Sequence, residues 1–321
     1  MTQAAPDPVV SVVMANRDAG PFIAEAVRSV LAQSLRELEL ILVDDASRDD
    51  SAARARAAGL GDSRLRIVSL PRSLGPGGAR NRALAEARGR FVTIVDSDDV
   101  IAPDRFECLL ALAEAEDADL AADNLLQFSA AGDHGLLLDG PRWTRPREVD
   151  LVEFIDANRM FARPPNLGYL KPMIRRAVLS RVAYGYDESL RVGEDYDFVA
   201  RLLASGARYW VDPVARYRYR RHAGSTSHRL LRADLEALLA ADDRFRRLDG
   251  LTGAEIAALD HRRRTLQRAL AYDSFVAALK ARSPLRALSQ AAADPSILPL
   301  LMMPVAARLA RLRGAAWSAP A

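Results

Sequence analysis

Residues 92–99 read Val-Thr-Ile-Val-Asp-Ser-Asp-Asp, an apolar β-type run that ends in three carboxylates. A strand buried on both faces delivers such residues to the carboxyl edge of a sheet, where open α/β folds bind ligands. Crowded there, Asp96, Asp98 and Asp99 repel one another unless a cation or a set of donors neutralises them. Oxygen ligands suit a hard divalent ion such as Mg2+ or Mn2+, which commonly arrives with substrate phosphates. Asp44 and Asp45 close a second apolar run, and Glu194 and Asp195 follow Gly193 at the opening of an amphipathic pattern. Taken singly, each acidic group reads as readily as a turn or a helix cap. Arg80 follows the loop Gly75-Pro76-Gly77-Gly78 at the start of a helical pattern, where free N–H groups and a guanidinium make an anion site. That loop is not the dinucleotide fingerprint, which argues against a nicotinamide cofactor. Arg216, Arg218, Arg220, Arg221 and His222 form a basic run that alternates with Tyr217 and Tyr219 as on one strand face.

The elements that must position these groups alternate. Strands are predicted at 9–14, 38–43, 65–70 and 91–95, with helices at 22–33, 51–58 and 77–87 between them. Four such alternations argue for a parallel sheet with helices on both sides. Right-handed crossovers then bring the loops after Met14, Val43 and Val95 to one edge. Helices are expected at 104–115, 150–160, 176–182 and 195–204. Short strands are expected at 120–122, 209–211 and 215–219, with an irregular stretch up to Pro146. From about Leu230 the composition turns to Ala, Leu and Arg with helical periodicity, so 229–321 is read as a helical appendage to a 1–228 domain.

The chain has 321 residues, half of them apolar, enough for a substantial core. A net charge of +3 is too small to argue for a nucleic-acid partner. The single cysteine, Cys108, excludes an intrachain disulfide and a cysteine-based zinc cluster, and its helical apolar context suggests a core residue. Residues 1–8 lack a basic segment followed by an apolar one, and the apolar stretch 297–307 is short and broken by Pro299 and Pro304. A cytoplasmic protein is expected. Residues 297–313 are apolar and then basic, the composition of an interfacial membrane anchor, of a docked helix or of a dimer contact.

Ile41-Leu42-Val43-Asp44-Asp45-Ala46-Ser47, Gly75-Pro76-Gly77-Gly78-Ala79-Arg80-Asn81, Asp96-Ser97-Asp98-Asp99 and Gly193-Glu194-Asp195, in this order and spacing, resemble the motifs of family 2 glycosyltransferases. These are inverting, GT-A-fold enzymes, and the resemblance spans residues 9–228. It implies an α/β fold with a mainly parallel central sheet and a nucleotide-diphosphate sugar donor. The acceptor implied is a glycan or lipid-linked saccharide in polysaccharide synthesis. The resemblance also implies Mg2+ or Mn2+ as cofactor. Carried over, Asp44 or Asp45 contacts the nucleotide base, Asp96 the ribose and Arg221 the diphosphate, with Arg80 in the nucleotide-sugar site. Asp98 and His222 ligate the metal, Asp195 is the general base, and Glu194 positions the acceptor or its loop. Lys171 falls where the family builds its sugar and acceptor pocket. Two departures stand out: the family's Pro and Tyr-Asn are Ala15 and Arg17-Asp18, and the usual Gly of the base-binding turn is Ala46. The other readings are a metal-dependent nucleotidyltransferase and a non-catalytic sugar-nucleotide binder.

Overall fold

The computed structural model describes residues 7–162, 165–183, 185–222, 224 and 230–302. β1 (Val10–Asn16), β2 (Leu38–Asp44), β3 (Leu65–Ser69) and β4 (Phe91–Ile94) alternate with α1 (Ile23–Leu31), α2 (Ser51–Gly59) and α3 (Gly75–Leu84), as the periodicity predicts. α1 buries Ile23, Ala26, Val27, Val30 and Leu31, the i, i+3, i+4, i+7, i+8 face of a one-sided helix. β2 is buried along its whole length. Its one charged interior residue, Glu39, accepts from Ser11 Oγ at 2.6 Å and from the Arg88 N–H at 2.8 Å. Burial opposes its charge, but these hydrogen bonds and the Arg88 guanidinium prevail and hold its pKa below the ordinary value.

β1, β2, β3 and β4 pair in parallel, in the spatial order β3-β2-β1-β4. The chain steps outward from β1 through β2 to β3 and then returns past β1 to β4. Right-handed crossovers put α1 and α2 on one face and α3 on the other. The reversal makes the β1/β4 boundary a topological switch point, with a crevice at the carboxyl ends of the two strands.

Beyond β4 the sheet is mixed. It continues through β5 (Val100–Ile101), β6 (Leu120–Ser129), β7 (Gly132–Leu136), β8 (Arg147–Glu148), β9 (Met173–Arg175) and β10 (Tyr209–Arg220), with α4 (Arg105–Ala115) and α6 (Glu194–Ala204) between them. β9 runs antiparallel between β4 and β6, and β10 pairs in parallel with β6. Two details differ from expectation. The two short strands near 209–219 are one strand with register shifts around Asp212 and Ala215, where Pro213 cannot donate to the ladder. The stretch treated as irregular holds the β6–β7 hairpin. Cys108 is half-buried, its thiol 3.6 Å from Asp104 Oδ2, rather than in the core.

Backbone contacts divide the chain into two compact units, Met1–Leu151 with Leu167–Thr226, and Val152–Asn166 with Ser227–Ala321. The second unit therefore takes in a segment well before residue 229. It contains most of α5 (Leu151–Ala157), then α7 (Arg232–Phe245), α8 (Gly253–Lys280) and α9 (Pro284–Ala293). A reciprocal Thr252–Glu255 capping box starts α8. Phe275, Ala278, Ala287 and Ile297 form a small core, while Leu279, Leu285 and Leu288 stay exposed. Among the described residues no helix is long and apolar enough to cross a membrane.

Candidate active site

β4 leads into Asp96-Ser97-Asp98-Asp99, and β10 fixes that loop. Tyr217 donates its hydroxyl to Asp99 Oδ2 at 2.8 Å and accepts the Asp96 N–H at 3.1 Å. The Arg220 N–H reaches Asp99 Oδ1 at 2.7 Å, and its guanidinium reaches the Asp98 carbonyl at 2.7 Å. Asp99 thus ties loop to strand. Burial, then the charges of Asp98 and Asp96, push its pKa well above the ordinary value. His222, just past β10, places Nε2 2.8 Å from Asp98 Oδ2, and its ring lies 4.6 Å from that of Phe22. Burial and then the Asp96 charge also raise the Asp98 pKa, against the pull of His222.

Gly193, at φ 82°, turns the chain into α6 in a left-handed conformation that glycine adopts without a Cβ penalty. Glu194 and Asp195 occupy the first turn. Arg80, on α3, is buried among carboxylates: it pairs with Glu194, with Asp96 Oδ1 at 2.9 Å and with Asp195 Oδ1 at 3.2 Å. Lys171 Nζ lies 2.6 Å from Asp195 Oδ2 and 2.8 Å from Asp96 Oδ2. Burial disfavours the charge of Arg80 and of Lys171, but the facing carboxylates outweigh it and raise both pKa values well above normal. Burial also works against Asp96, yet Lys171 and Arg80 hold its pKa below the usual carboxylate range. Glu194 goes the other way, since its burial exceeds the help it receives from Arg80.

The backbone holding these groups is itself anchored. Arg105 is fully buried and pairs with Asp123 at 2.9 Å. It also donates to the Lys171 carbonyl at 2.6 Å, immediately before β9. Asn81, next to Arg80, binds both the N–H (2.7 Å) and the carbonyl (2.9 Å) of Tyr186 on the segment leading to α6. A Cβ on Gly185 would collide with the Asn81 side chain.

Asp44 and Asp45 sit at the end of β2. Asp44 Oδ1 accepts from Asn16 Nδ2 at 2.7 Å and from Ser47 Oγ at 2.5 Å. Asp45 accepts from the Leu74 N–H (2.6 Å), the Gly75 N–H (3.1 Å) and Ser73 Oγ (2.6 Å), so it caps the start of α3. Arg17, in the place of the family's Tyr, contacts Ser73 and lies 3.6 Å from Asp45. Ala46 has φ 55°, the left-handed conformation its motif fills with Gly. Arg221 is exposed, and its N–H donates to the Phe128 carbonyl.

The structure therefore brings Arg80, Asp96, Asp98, Glu194, Asp195 and His222 into one connected set. Asp44 and Asp45 adjoin it through α3. Sequence reasoning passed over the Arg105–Asp123 pair. Its signal was a charged residue at a core position in each of two elements, beside Phe106 and Leu109 in α4 and within the apolar start of β6. Among the described residues no three His, Cys, Asp or Glu side chains are grouped to hold a metal by themselves. A two-ligand set such as Asp98 with His222 fits a divalent ion whose remaining oxygens come from phosphates.

The open α/β sheet with carboxylates clustered at its switch point has the fold of solved GT-A glycosyltransferases. The chain belongs to glycosyl transferase family 2, whose model matches residues 11–177. It is 40% identical over 306 residues to the succinoglycan biosynthesis protein ExoO of Rhizobium meliloti (strain 1021), covering 95% of this chain and 87% of that protein. The 1-349 portion of S. aureus TarS in complex with UDP-GlcNAc superposes with a TM-score of 0.68 at 22% identity, over 88% of this chain and 79% of that portion. The mannosyltransferase PcManGT from Pyrobaculum calidifontis, in complex with GDP-Man and Mn2+, gives 0.58 at 19% identity, over 96% of this chain and 83% of that one.

Proposed function

We propose that this glycosyltransferase moves a sugar from a nucleotide-diphosphate donor to a hydroxyl of a glycan or lipid-linked acceptor during polysaccharide synthesis. Transfer inverts the anomeric carbon and uses Mg2+ or Mn2+. The observation that carries this reading is that Asp96 and Asp195, 99 positions apart, are bridged by the same two cations, Arg80 and Lys171. A donor-side and an acceptor-side carboxylate thereby face one small site.

In this reading Asp44 or Asp45 meets the nucleotide base, Asp96 the ribose, and Arg221 the diphosphate. Arg80 acts on the donor through Asp96. Asp98 and His222 hold the cation, which when bound supplies Lewis-acid charge at the departing diphosphate. Asp195 accepts the acceptor's proton. A carboxylate is a poor base toward a neutral alcohol, but it serves once the attacking oxygen has become positive. Attack from the Asp195 side, with the diphosphate leaving opposite, inverts the centre. Glu194 positions the acceptor or its loop.

ExoO's part in succinoglycan synthesis supports a polysaccharide product, and the sugar nucleotides of the two structural relatives support the donor class. The apolar-then-basic composition of 297–313, of which residues 303–313 lie outside those the structure describes, supports a peripheral membrane contact. A nucleotidyltransferase or a passive binder leaves the Glu194–Asp195 pair without a task. The test is thermal stabilisation by UDP or GDP with and without Mn2+, followed by a donor panel scored for release of nucleotide diphosphate. Mn2+-dependent stabilisation and release with one donor are expected. Stabilisation indifferent to Mn2+, with no release from any donor, overturns the reading.

A further inference from the structure

We propose that Lys171 is a positioning residue for Asp195, fixing the carboxylate that takes the acceptor's proton and tying it to the donor-side Asp96. This rests on the assignment of Asp195 as the base.

The first observation is compositional. The sequence contains two lysines, Lys171 and Lys280, among 45 Lys and Arg residues. Arginine serves nearly everywhere else, and one of the two exceptions is buried in the site with its side chain 7% exposed. The two side chains differ in shape: an ammonium is a compact point charge with three tetrahedral donors, whereas a guanidinium is a planar fork. At 2.6 Å from Asp195 and 2.8 Å from Asp96, the compact ammonium spans two carboxylates with one nitrogen, without the width of a planar fork.

The second observation is how the lysine is mounted. Its carbonyl is held by buried Arg105, and the Pro172 carbonyl accepts from Thr93 Oγ1 on β4 at 3.2 Å. β9 begins one residue later and pairs with β4. Lys171 therefore reports the position of the β4 edge, where Asp96 sits, to a carboxylate on α6. Arg80 takes Asp195 Oδ1 and Lys171 takes Oδ2. A carboxylate has about four lone-pair sites. Two cations fix its orientation and leave lone pairs for an incoming hydroxyl. The pKa of Lys171, raised well above normal against the cost of burial, keeps it a cation that neither takes nor gives the transferred proton.

The experiment is a double-mutant cycle on the full chain, with the donor and acceptor that the wild type turns over in a panel. Lys171→Met is expected to lower kcat by about 10- to 100-fold, as loss of orientation does. UDP or GDP binding and donor KM should stay within about 3-fold, and the melting temperature should remain cooperative. In an Asp195→Asn background the same change should cost less than about 3-fold, because the lysine acts through that carboxylate. Additive losses, or a loss confined to donor KM, overturn the proposal. Lys171→Arg keeps the charge if the methionine variant does not fold. It is expected to bind nucleotide but transfer well below wild type, and wild-type transfer would also overturn it. If Asp195→Asn itself retains turnover, the base assignment has failed, a result separate from any outcome at Lys171.

Discussion

Asp98 Oδ2 and His222 Nε2 lie 2.8 Å apart across 124 positions of sequence, one in the loop after β4 and the other just beyond β10. If the pair holds the cation, Asp98→Ala and His222→Ala should each weaken Mn2+-dependent binding of UDP or GDP by about 10-fold or more, by analogy with the cost of lesser changes around metal ligands. Calorimetric titration with and without Mn2+ measures this. Unchanged Mn2+ dependence in both variants places the ion elsewhere.

Asp195→Asn keeps the shape of the side chain but removes its capacity to accept a proton. Turnover should fall by ~10²–10⁴ while nucleotide affinity is preserved, as expected for loss of a general base. Initial rates of diphosphate release beside a nucleotide titration separate the two effects, and near-normal rates would remove Asp195 from this role.

Asp99 gives a pH signature. Its pKa in the folded protein is raised above that of an unfolded chain, so the folded form binds the proton more tightly. That contribution to stability is complete below the unfolded value and is lost as pH rises through the folded one. Asp99→Asn cannot titrate. The melting temperature of the variant relative to wild type should therefore climb between pH 4 and pH 8, and a difference that falls over this range contradicts the assignment.

Ala46, at φ 55°, bears a left-handed conformation that costs a non-glycine residue about 1–2 kcal/mol. Glycine removes that strain but adds backbone entropy to the unfolded chain. The net expectation for Ala46→Gly is a stabilisation of about 0.5–1 kcal/mol, measured by chemical denaturation. A destabilised variant would mean that the turn relaxes around the alanine.

The β1-to-β4 half of the fold was legible in the sequence because apolar periodicity switches cleanly between two and about 3.6 residues there. The acidic ends of β2 and β4 were legible for the same reason: a carboxylate directly after a buried strand has few places to go. β10 read as two pieces because Pro213 interrupts the alternation, and only pairing with β6 restores it as one strand. Lys171 lies in a loop with no period, so its meeting with Asp96 and Asp195 depends on β9 running antiparallel beside β4, which no local pattern encodes. Arg80 was readable as a guanidinium at a helix start, but its enclosure by three carboxylates became visible only when α6 was brought against α3.

Asn81 grips the 185–188 segment through the peptide atoms of Tyr186, and Gly185 keeps the approach open. The same amide also donates to Glu188 Oε1 at 3.0 Å, so the latch holds one side chain as well as the main chain. Exchange of Asp187 or Ser189 leaves both Tyr186 bonds to Asn81 in place, whereas exchange of Glu188 removes one hold on the segment. Changes confined to Asp187 and Ser189 therefore leave the chemistry of the site in register.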